Sequence, residues 1–323
     1  MSTRRTTILV LSVDEAPYLE HCLPAAVAQP DSEVVVIDNA CTDRTRTVCE
    51  EHGVRVVGLR ERVSYAAAMN AGLAATSGPA VLVLNADCVL DPGFLAAAAP
   101  RLEDPAVGSV APRLIRSTSM EPADRLDVLD AAGMTIDRRR KNSLVAHGEP
   151  ASSRTTQGEA FGGDGACVLY RREVLDACAV GKEVFDEDMA LWATDADLAW
   201  RARTLGWRCV YEPRAVGWHK RFYSPTTRGA LPAEHRTLQF RNRLLMVVKN
   251  DTPGALLRDL PFWLTWEVLA FGHALLRERT LLRGYVDFWR LAPRARRRRA
   301  ILRERRGGRA SAPVPFGLRP PRS

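Results

Sequence analysis

Val81-Leu82-Val83-Leu84-Asn85-Ala86-Asp87 is an apolar run that ends in two oxygen-bearing side chains two residues apart. Unbroken Val and Leu, without polar alternation, suit a strand covered on both faces, the way parallel strands are buried. An acid at the carboxyl end of such a strand stands where open α/β sheets bind ligands. There it can meet a hard cation such as Mg²⁺ or Mn²⁺, which takes oxygen ligands and shares them with a diphosphate. The same residues also suit a plain strand-ending turn.

Outward from this run the pattern repeats. Thr7–Val13, Glu33–Asp38, Val54–Leu59 and Ala80–Leu84 read as short buried strands, with helices expected over Pro17–Ala28, Thr42–Glu51 and Ser64–Ala75. Pro17 suits a first helical turn, Thr42 a cap, and Gly53 and Gly78 stop signals. This rhythm predicts an α/β fold with a mostly parallel central sheet. Further strands are expected at Val107–Leu114, Cys167–Tyr170, Arg208–Tyr211 and Ala215–Trp218, and a helix at Ala196–Leu205. Arg116–Ala160 is polar and reads as an irregular insertion or flap. After it come helices over Glu234–Lys249, Gly254–Leu276 and Arg279–Leu291.

Other polar residues sit at similar element ends. Asp38 and Asn39 close the second strand and Asp43 opens the next helix; they suit a base or ribose hydroxyl, or a turn and cap. Asp195 and Asp197 open a helix, where either serves as a cap or dipole partner and Asp195 as a general base. His219 ends a strand and is placed to complete a metal site. In the small-residue helix Ser64–Gly72, Asn70 is the one polar side chain able to reach a ligand.

Taken in order, Asp38-Asn39-Ala40-Cys41-Thr42-Asp43, Tyr65 to Gly72, Leu84-Asn85-Ala86-Asp87, Gly165 to Arg172, Phe185-Asp186-Glu187-Asp188, Thr194 to Leu198 and Gly206 through His219 resemble glycosyltransferase family 2 over about Thr7–Lys249. That family is inverting and has the Rossmann-like GT-A fold; the chain is most similar to bacterial rhamnosyltransferase-type members. The resemblance implies a nucleotide diphosphate sugar donor, possession of a Mg²⁺ or Mn²⁺ site, and a glycan, lipid-linked or natural-product acceptor. It implies Asp195 as base toward the acceptor hydroxyl, and Asp87 with His219 at the metal. It implies nucleotide-sugar contacts from Ser12, Asp38, Asn39, Asp43, Asn70, Asn85, Ala86, Asp87, Gly165 and Ala166, with Asp38 at the base and Asp43 supporting that loop. The sequence departs from the family at Asn85, Cys41, Asp14 and Thr194, the last where a Glu usually precedes the catalytic Asp. A catalytically weak or inactive sugar-nucleotide-binding protein is therefore the alternative. A nucleotidyltransferase is disfavoured, because Ser12-Val13-Asp14-Glu15-Ala16 is acidic and lacks the Gly-rich basic loop it would need.

The 323 residues carry 46 Lys and Arg against 38 Asp and Glu, a net charge of +8. Arg277–Ser323 holds 15 Arg and 3 acids, so the body is mildly acidic and the end strongly basic. This argues against nucleic acid as the partner of the body. The expected organisation is a transferase domain over 1–232, a helical extension over 233–292 and an Arg-rich disordered tail over 293–323. Aromatic-rich helices beside an Arg cluster suit an anionic membrane surface. Leu260–Leu276 is short and holds Glu267, a poor spanning helix. Seven Cys without paired spacing fit a reducing compartment. The expected location is the cytoplasm, peripheral on the inner face of the cell membrane.

Overall fold

In the computed structural model, residues 6–221, 229–306 and 312–323 are described. Strands β1 (Thr6–Ser12) and β2 (Ser32–Asp38) flank helix α1 (Ala16–Val27). Helix α2 (Thr45–Glu51), β3 (Arg55–Gly58), α3 (Tyr65–Ala74) and β4 (Ala80–Asn85) follow. The strand period of two sorts the side chains onto two faces. Ile8, Val10, Val34 and Val36 join one core with Leu19, Cys22 and Leu23 of α1. Leu9, Leu11, Val35 and Ile37 join the other with Ala66, Met69 and Leu73 of α3. The small residues of α3 allow this second helix to lie close: a β-carbon at Gly72 would collide with Ile37 and Leu9. Ser64 caps α3 through the Ala67 N–H at 3.3 Å.

The remaining elements are β5 (Cys88–Leu90), α4 (Phe94–Ala98), β6 (Val107–Ser117), β7 (Arg125–Ala131), β8 (Met134–Ile136), β9 (Asn142–Leu144), β10 (Gly158–Ala160), β11 (Cys167–Arg171), α5 (Arg172–Cys178), α6 (Thr194–Thr204) and β12 (Arg208–His219). The main sheet runs β10-β12-β6-β11-β4-β1-β2-β3. Strands β4, β1, β2 and β3 are parallel, as are β6 and β12, and antiparallel β11 joins the two groups. The carboxyl ends of β1, β2 and β4 therefore open on one edge.

Three expectations need correction. Arg116–Ala160 is not an irregular flap: it carries β7 on the sheet edge and the β8–β9 hairpin, because Leu129, Ala131, Met134 and Ile136 are apolar enough to bury. The two short strands at 208–218 are one, β12, with an irregularity between Glu212 and Val216.

The third correction concerns the C-terminus. Helices α7 (Ala233–Asn250), α8 (Pro253–Arg258), α9 (Leu260–Leu276) and α10 (Leu282–Arg305) follow, so the Arg-rich segment is helical well past Pro293. Acids of the body pair with part of it. Arg298 meets Glu183 at 2.5 Å and Asp186 at 3.1 Å, and Arg294 meets Asp188 at 2.8 Å. Residues 312–323 are irregular yet packed: Phe316 lies on Trp200 and Phe161, and Arg154 donates to the Pro320 carbonyl. Residues 222–228 and 307–311, parts of an expected loop and tail, lie outside the described residues.

Candidate active site

The loops after β1 and β2 lock together beyond the sheet edge. Asp14 and Ala40, at φ of 58° and 50°, take left-handed backbone conformations that bend the two loops toward each other. Asp14 accepts from the Thr42 N–H at 2.7 Å and from Arg62 at 2.6 Å, which hold its carboxyl down at about 2. Asp43 accepts from the Ala16 N–H at 2.8 Å, tying its loop to the start of α1, and from the Thr45 N–H at 3.0 Å. Ser12 Oγ lies 2.9 Å from Thr45 Oγ1, and Asn39 exchanges two 2.9 Å bonds with the backbone of Val63.

Asp38, expected at the base, is engaged within its own loop. Its side chain is 1% exposed, and its oxygens are occupied by the Cys41 N–H at 2.7 Å and Arg46 Nε at 2.6 Å. As placed, it shapes the loop. Asn70 is engaged within the protein as well. It donates to the Phe185 carbonyl at 2.8 Å and to Glu187 at 3.0 Å, and accepts from the N–H groups of Val184 and Phe185 at 3.0 and 2.9 Å. All of its capacity fastens the 184–187 loop to α3, with none left for a ligand.

Beyond β4, Asp87 and His219 meet. His219 Nε2 is 3.1 Å from Asp87 Oδ1, and Nδ1 is 2.8 Å from Asp130 Oδ2. Burial disfavours a charged imidazole here, but Asp87 and Asp130 outweigh it and hold the His219 pKa well above the usual range. Asp130, fully buried at the end of β7, also accepts from Arg221 Nε at 2.7 Å. Arg221 pairs in turn with Asp164. Glu15 approaches from the first loop; burial and the charge of Asp87 push its carboxyl up to about 7. Side-chain atoms of Asp130, Asp164 and His219 lie within 4.8 Å of one another.

Asp195 enters from the first turn of α6. The loop before it is strained, with Ala190, Trp192 and Ala193 all at positive φ. Asp195 accepts from the Gly165 N–H at 3.0 Å and the Ala196 N–H at 2.8 Å. Gly165 is needed small: a β-carbon there would lie 3.3 Å from the carboxylate. Burial first, then the charge of Asp164, raises the Asp195 pKa to about 6. Its neighbour Asp197 is a different kind of acid. Fully buried, it binds Arg201 and Lys249 at 3.0 Å and Asn250 at 2.7 Å, joining α6 to α7. The two acids thus differ in surroundings: Asp197 is tied up in ion pairs, and Asp195 accepts only backbone N–H groups. Ala166, next to Gly165, accepts from the Asn85 N–H at 2.9 Å, and Ala86 is buried between Asn85 and Asp87.

Glu15, Asp130, Asp164 and Arg221 are not among the site residues expected from the sequence. Glu15 had a signal, an acid next to a strand end. Asp130 had a weaker one, a lone acid within the apolar Val128–Ala132 run.

Helices on both faces of this sheet, with acids gathered at one edge, define the GT-A class of α/β protein. The chain belongs to glycosyl transferase family 2, whose profile matches residues 7–178. An uncharacterised glycosyltransferase of Mycobacterium tuberculosis is 33% identical over 138 residues, covering 37% of this chain and 63% of that one. Poly-β-1,6-N-acetyl-D-glucosamine synthase of Staphylococcus epidermidis is 24% identical over 202 residues, covering 58% of this chain and 43% of the synthase. The chain thus spans less than two thirds of these relatives. Among solved structures, S. aureus TarS 1–349 with UDP-GlcNAc superposes with a TM-score of 0.60 at 15% identity, over 98% of both chains. The mannosyltransferase PcManGT of Pyrobaculum calidifontis, with GDP-Man and Mn²⁺, gives 0.53 at 20% identity, over 96% of this chain and 77% of that one. At these identities the likeness concerns the fold.

Proposed function

We propose that this protein transfers a sugar from a nucleotide diphosphate sugar to an acceptor hydroxyl by direct displacement, with inversion. One observation carries the reading: consecutive residues 165 and 166 bind both halves of the site. Gly165 holds the Asp195 carboxylate, and Ala166 holds the backbone of Asn85 at the strand end that presents Asp87.

The donor set fits a divalent cation. Asp87 Oδ1 and His219 Nε2 are 3.1 Å apart. Together they offer a carboxylate oxygen and an imidazole nitrogen at one point, ligand types that a divalent cation takes. Asp130 at the far ring nitrogen fixes the imidazole, as carboxylates do behind metal-bound His. Asp87 and His219 would hold the ion; when bound, Mg²⁺ or Mn²⁺ supplies charge neutralisation on the leaving diphosphate. Asp195 takes the acceptor proton as the hydroxyl oxygen bonds to the anomeric carbon and the bond to the diphosphate breaks. No nucleophile on the protein is required.

The donor panel starts with a deoxyhexose such as rhamnose, to which the sequence resemblance leads, and extends to GDP-mannose and UDP-GlcNAc. Thermal shift with each nucleotide sugar in Mn²⁺ tests the reading, and release of free nucleotide in the presence of acceptor tests transfer. Binding without transfer across a broad acceptor panel would favour the inactive alternative, for which Thr194 is the motivating residue.

We further propose that the protein rests on an anionic membrane through α9, which suits a lipid-linked acceptor. Among the described residues, no helix is long and apolar enough to cross a membrane. Yet α9 exposes Phe262, Leu264, Val268, Leu269, Phe271, Leu275 and Leu276, the last at 79%. Apolar patches of this kind mark interaction surfaces. Arg138 stacks on Phe262 at 3.9 Å, and Arg139 and Lys141 lie over Trp266 at 4.9 and 5.1 Å, bringing cations to the rim of that face.

A further inference from the structure

A cavity of about 470 Å³ lies among α7, α9 and α10, away from the acids of the transfer site. Its walls are apolar: Val248, Trp263, Val268, Phe271 and Phe288 contribute. Arg140, Arg243 and Glu267 also line it. Arg243 is paired with Glu267 at 2.5 Å. Arg140 is not saturated. Its side chain is 1% exposed; Nε meets Asp251 at 2.6 Å, and Nη1 meets Asp259 and the Arg138 carbonyl at 2.8 Å. Nη2 is buried without an acceptor. A buried donor left so is costly, more when charged.

Arg140 is paired with two carboxylates and stacked on Phe316, yet one of its N–H groups lacks an acceptor; an apolar chamber lined by such a group matches an amphiphile, a hydrocarbon chain ending in an anionic oxygen group. The chamber also has a natural source of one. Val268 and Phe271 line it and are 63% and 49% exposed on the α9 face, so the cavity is continuous with the surface proposed to meet the bilayer. We infer that this cavity takes one chain of an anionic membrane lipid, with the charged end drawn to Arg140. The inference rests on the membrane contact proposed for α9, and the two can fail separately.

The test uses the full chain and monomeric 9,10-dibromostearate, below its micelle concentration, which quenches nearby Trp. Saturable quenching is expected, with most of its amplitude removed by Trp263→Phe. Val248→Phe, which fills the cavity, is expected to weaken binding at least tenfold. The uncharged dibromostearyl alcohol is expected to bind at least tenfold more weakly than the acid. Leu264→Asp, on the α9 face and outside the cavity lining, is expected to keep the dibromostearate affinity within twofold while losing flotation with phosphatidylglycerol vesicles. Quenching that never saturates, or that ignores Val248→Phe, overturns the site. Equal binding of alcohol and acid overturns the role of Arg140. Retained flotation of Leu264→Asp with intact dibromostearate binding would remove α9 as the membrane contact and, with it, the bilayer as the source of the ligand.

Discussion

Asp130 Oδ2 lies 2.8 Å from His219 Nδ1, which leaves the other ring nitrogen facing Asp87. The metal-ligand role proposed for His219 rests on this orientation. Asp130→Asn keeps the shape and a hydrogen bond but removes the charge. Partners behind a metal ligand are worth about 10–100-fold in metal affinity. Mn²⁺ titration calorimetry should show a loss in that range, with the fold intact by circular dichroism. Unchanged Mn²⁺ affinity would separate Asp130 from the metal site.

Asp195 sets the expected pH dependence. Its pKa is raised to about 6, chiefly by burial, and only the ionised form accepts a proton. The rate at low acceptor concentration should therefore rise with pH through about 6 and level off above about 7. A flat profile between pH 5 and 8, with chemistry shown to limit the rate, would contradict Asp195 as base.

The same shift has a consequence for stability. The folded state binds the Asp195 proton more tightly than the unfolded chain, whose ordinary value is 3.8. Stability contributed here is present at low pH and declines as pH rises from about 4 through about 6. Asp195→Asn should match the wild type below that window. Above it the variant should be more stable, by up to about 3 kcal/mol, from two units at about 1.4 kcal/mol each. Urea unfolding at pH 4 and pH 8 reads the difference. The variant should lose transfer and keep nucleotide binding, so a stabilised but fully active variant would remove the assignment.

What the sequence made legible follows from locality. The strands Thr7–Val13 and Glu33–Asp38 are readable because residues on both faces are apolar, the direct signature of burial between two helix layers. Asp87, Asp195 and His219 are readable because each stands at the end of an element. Asp130 is hidden because its partner is 89 residues away, and only the pairing of β7 and β12 on either side of β6 brings them together. The docked Arg helix is hidden for the same reason: Arg298 reads as a solvated charge until Glu183, 115 residues earlier, is folded against it. The clamp role of Asn70 was not legible, because a lone polar residue in a small-residue helix suits a ligand and a loop clamp equally.

Asn70 gives a further test. Asn70→Ala leaves the N–H groups of Val184 and Phe185 without their acceptor, at about 1–3 kcal/mol for a buried group. A loss of about 3 kcal/mol is expected, or roughly 10 °C in Tm at about 2–4 °C per kcal/mol. Nucleotide affinity should change less than threefold, measured by calorimetry at a temperature where the variant is folded. A large loss of nucleotide affinity with an unchanged Tm would restore Asn70 as a ligand contact.

The basic end and the apolar helix make separable contributions at a membrane. Much of the Arg cluster is already engaged with the body: Arg294 with Asp188, Arg298 with Glu183 and Asp186, and Arg299 and Arg305 with the carbonyls of Val248 and Ala179. Arg296 and Arg297 are exposed, and their charge acts only over a Debye length of about 8 Å at physiological salt. Leu264 and Leu269 on α9 would instead bury hydrocarbon, worth about 1.5–3 kcal/mol for a full Leu side chain. Leu264→Asp with Leu269→Asp should therefore cut flotation with phosphatidylglycerol vesicles at least tenfold. Arg296→Gln with Arg297→Gln should cut it less than threefold at physiological salt, and more at low salt. The opposite ranking would make the basic helix the anchor and leave α9 as a surface for a protein partner.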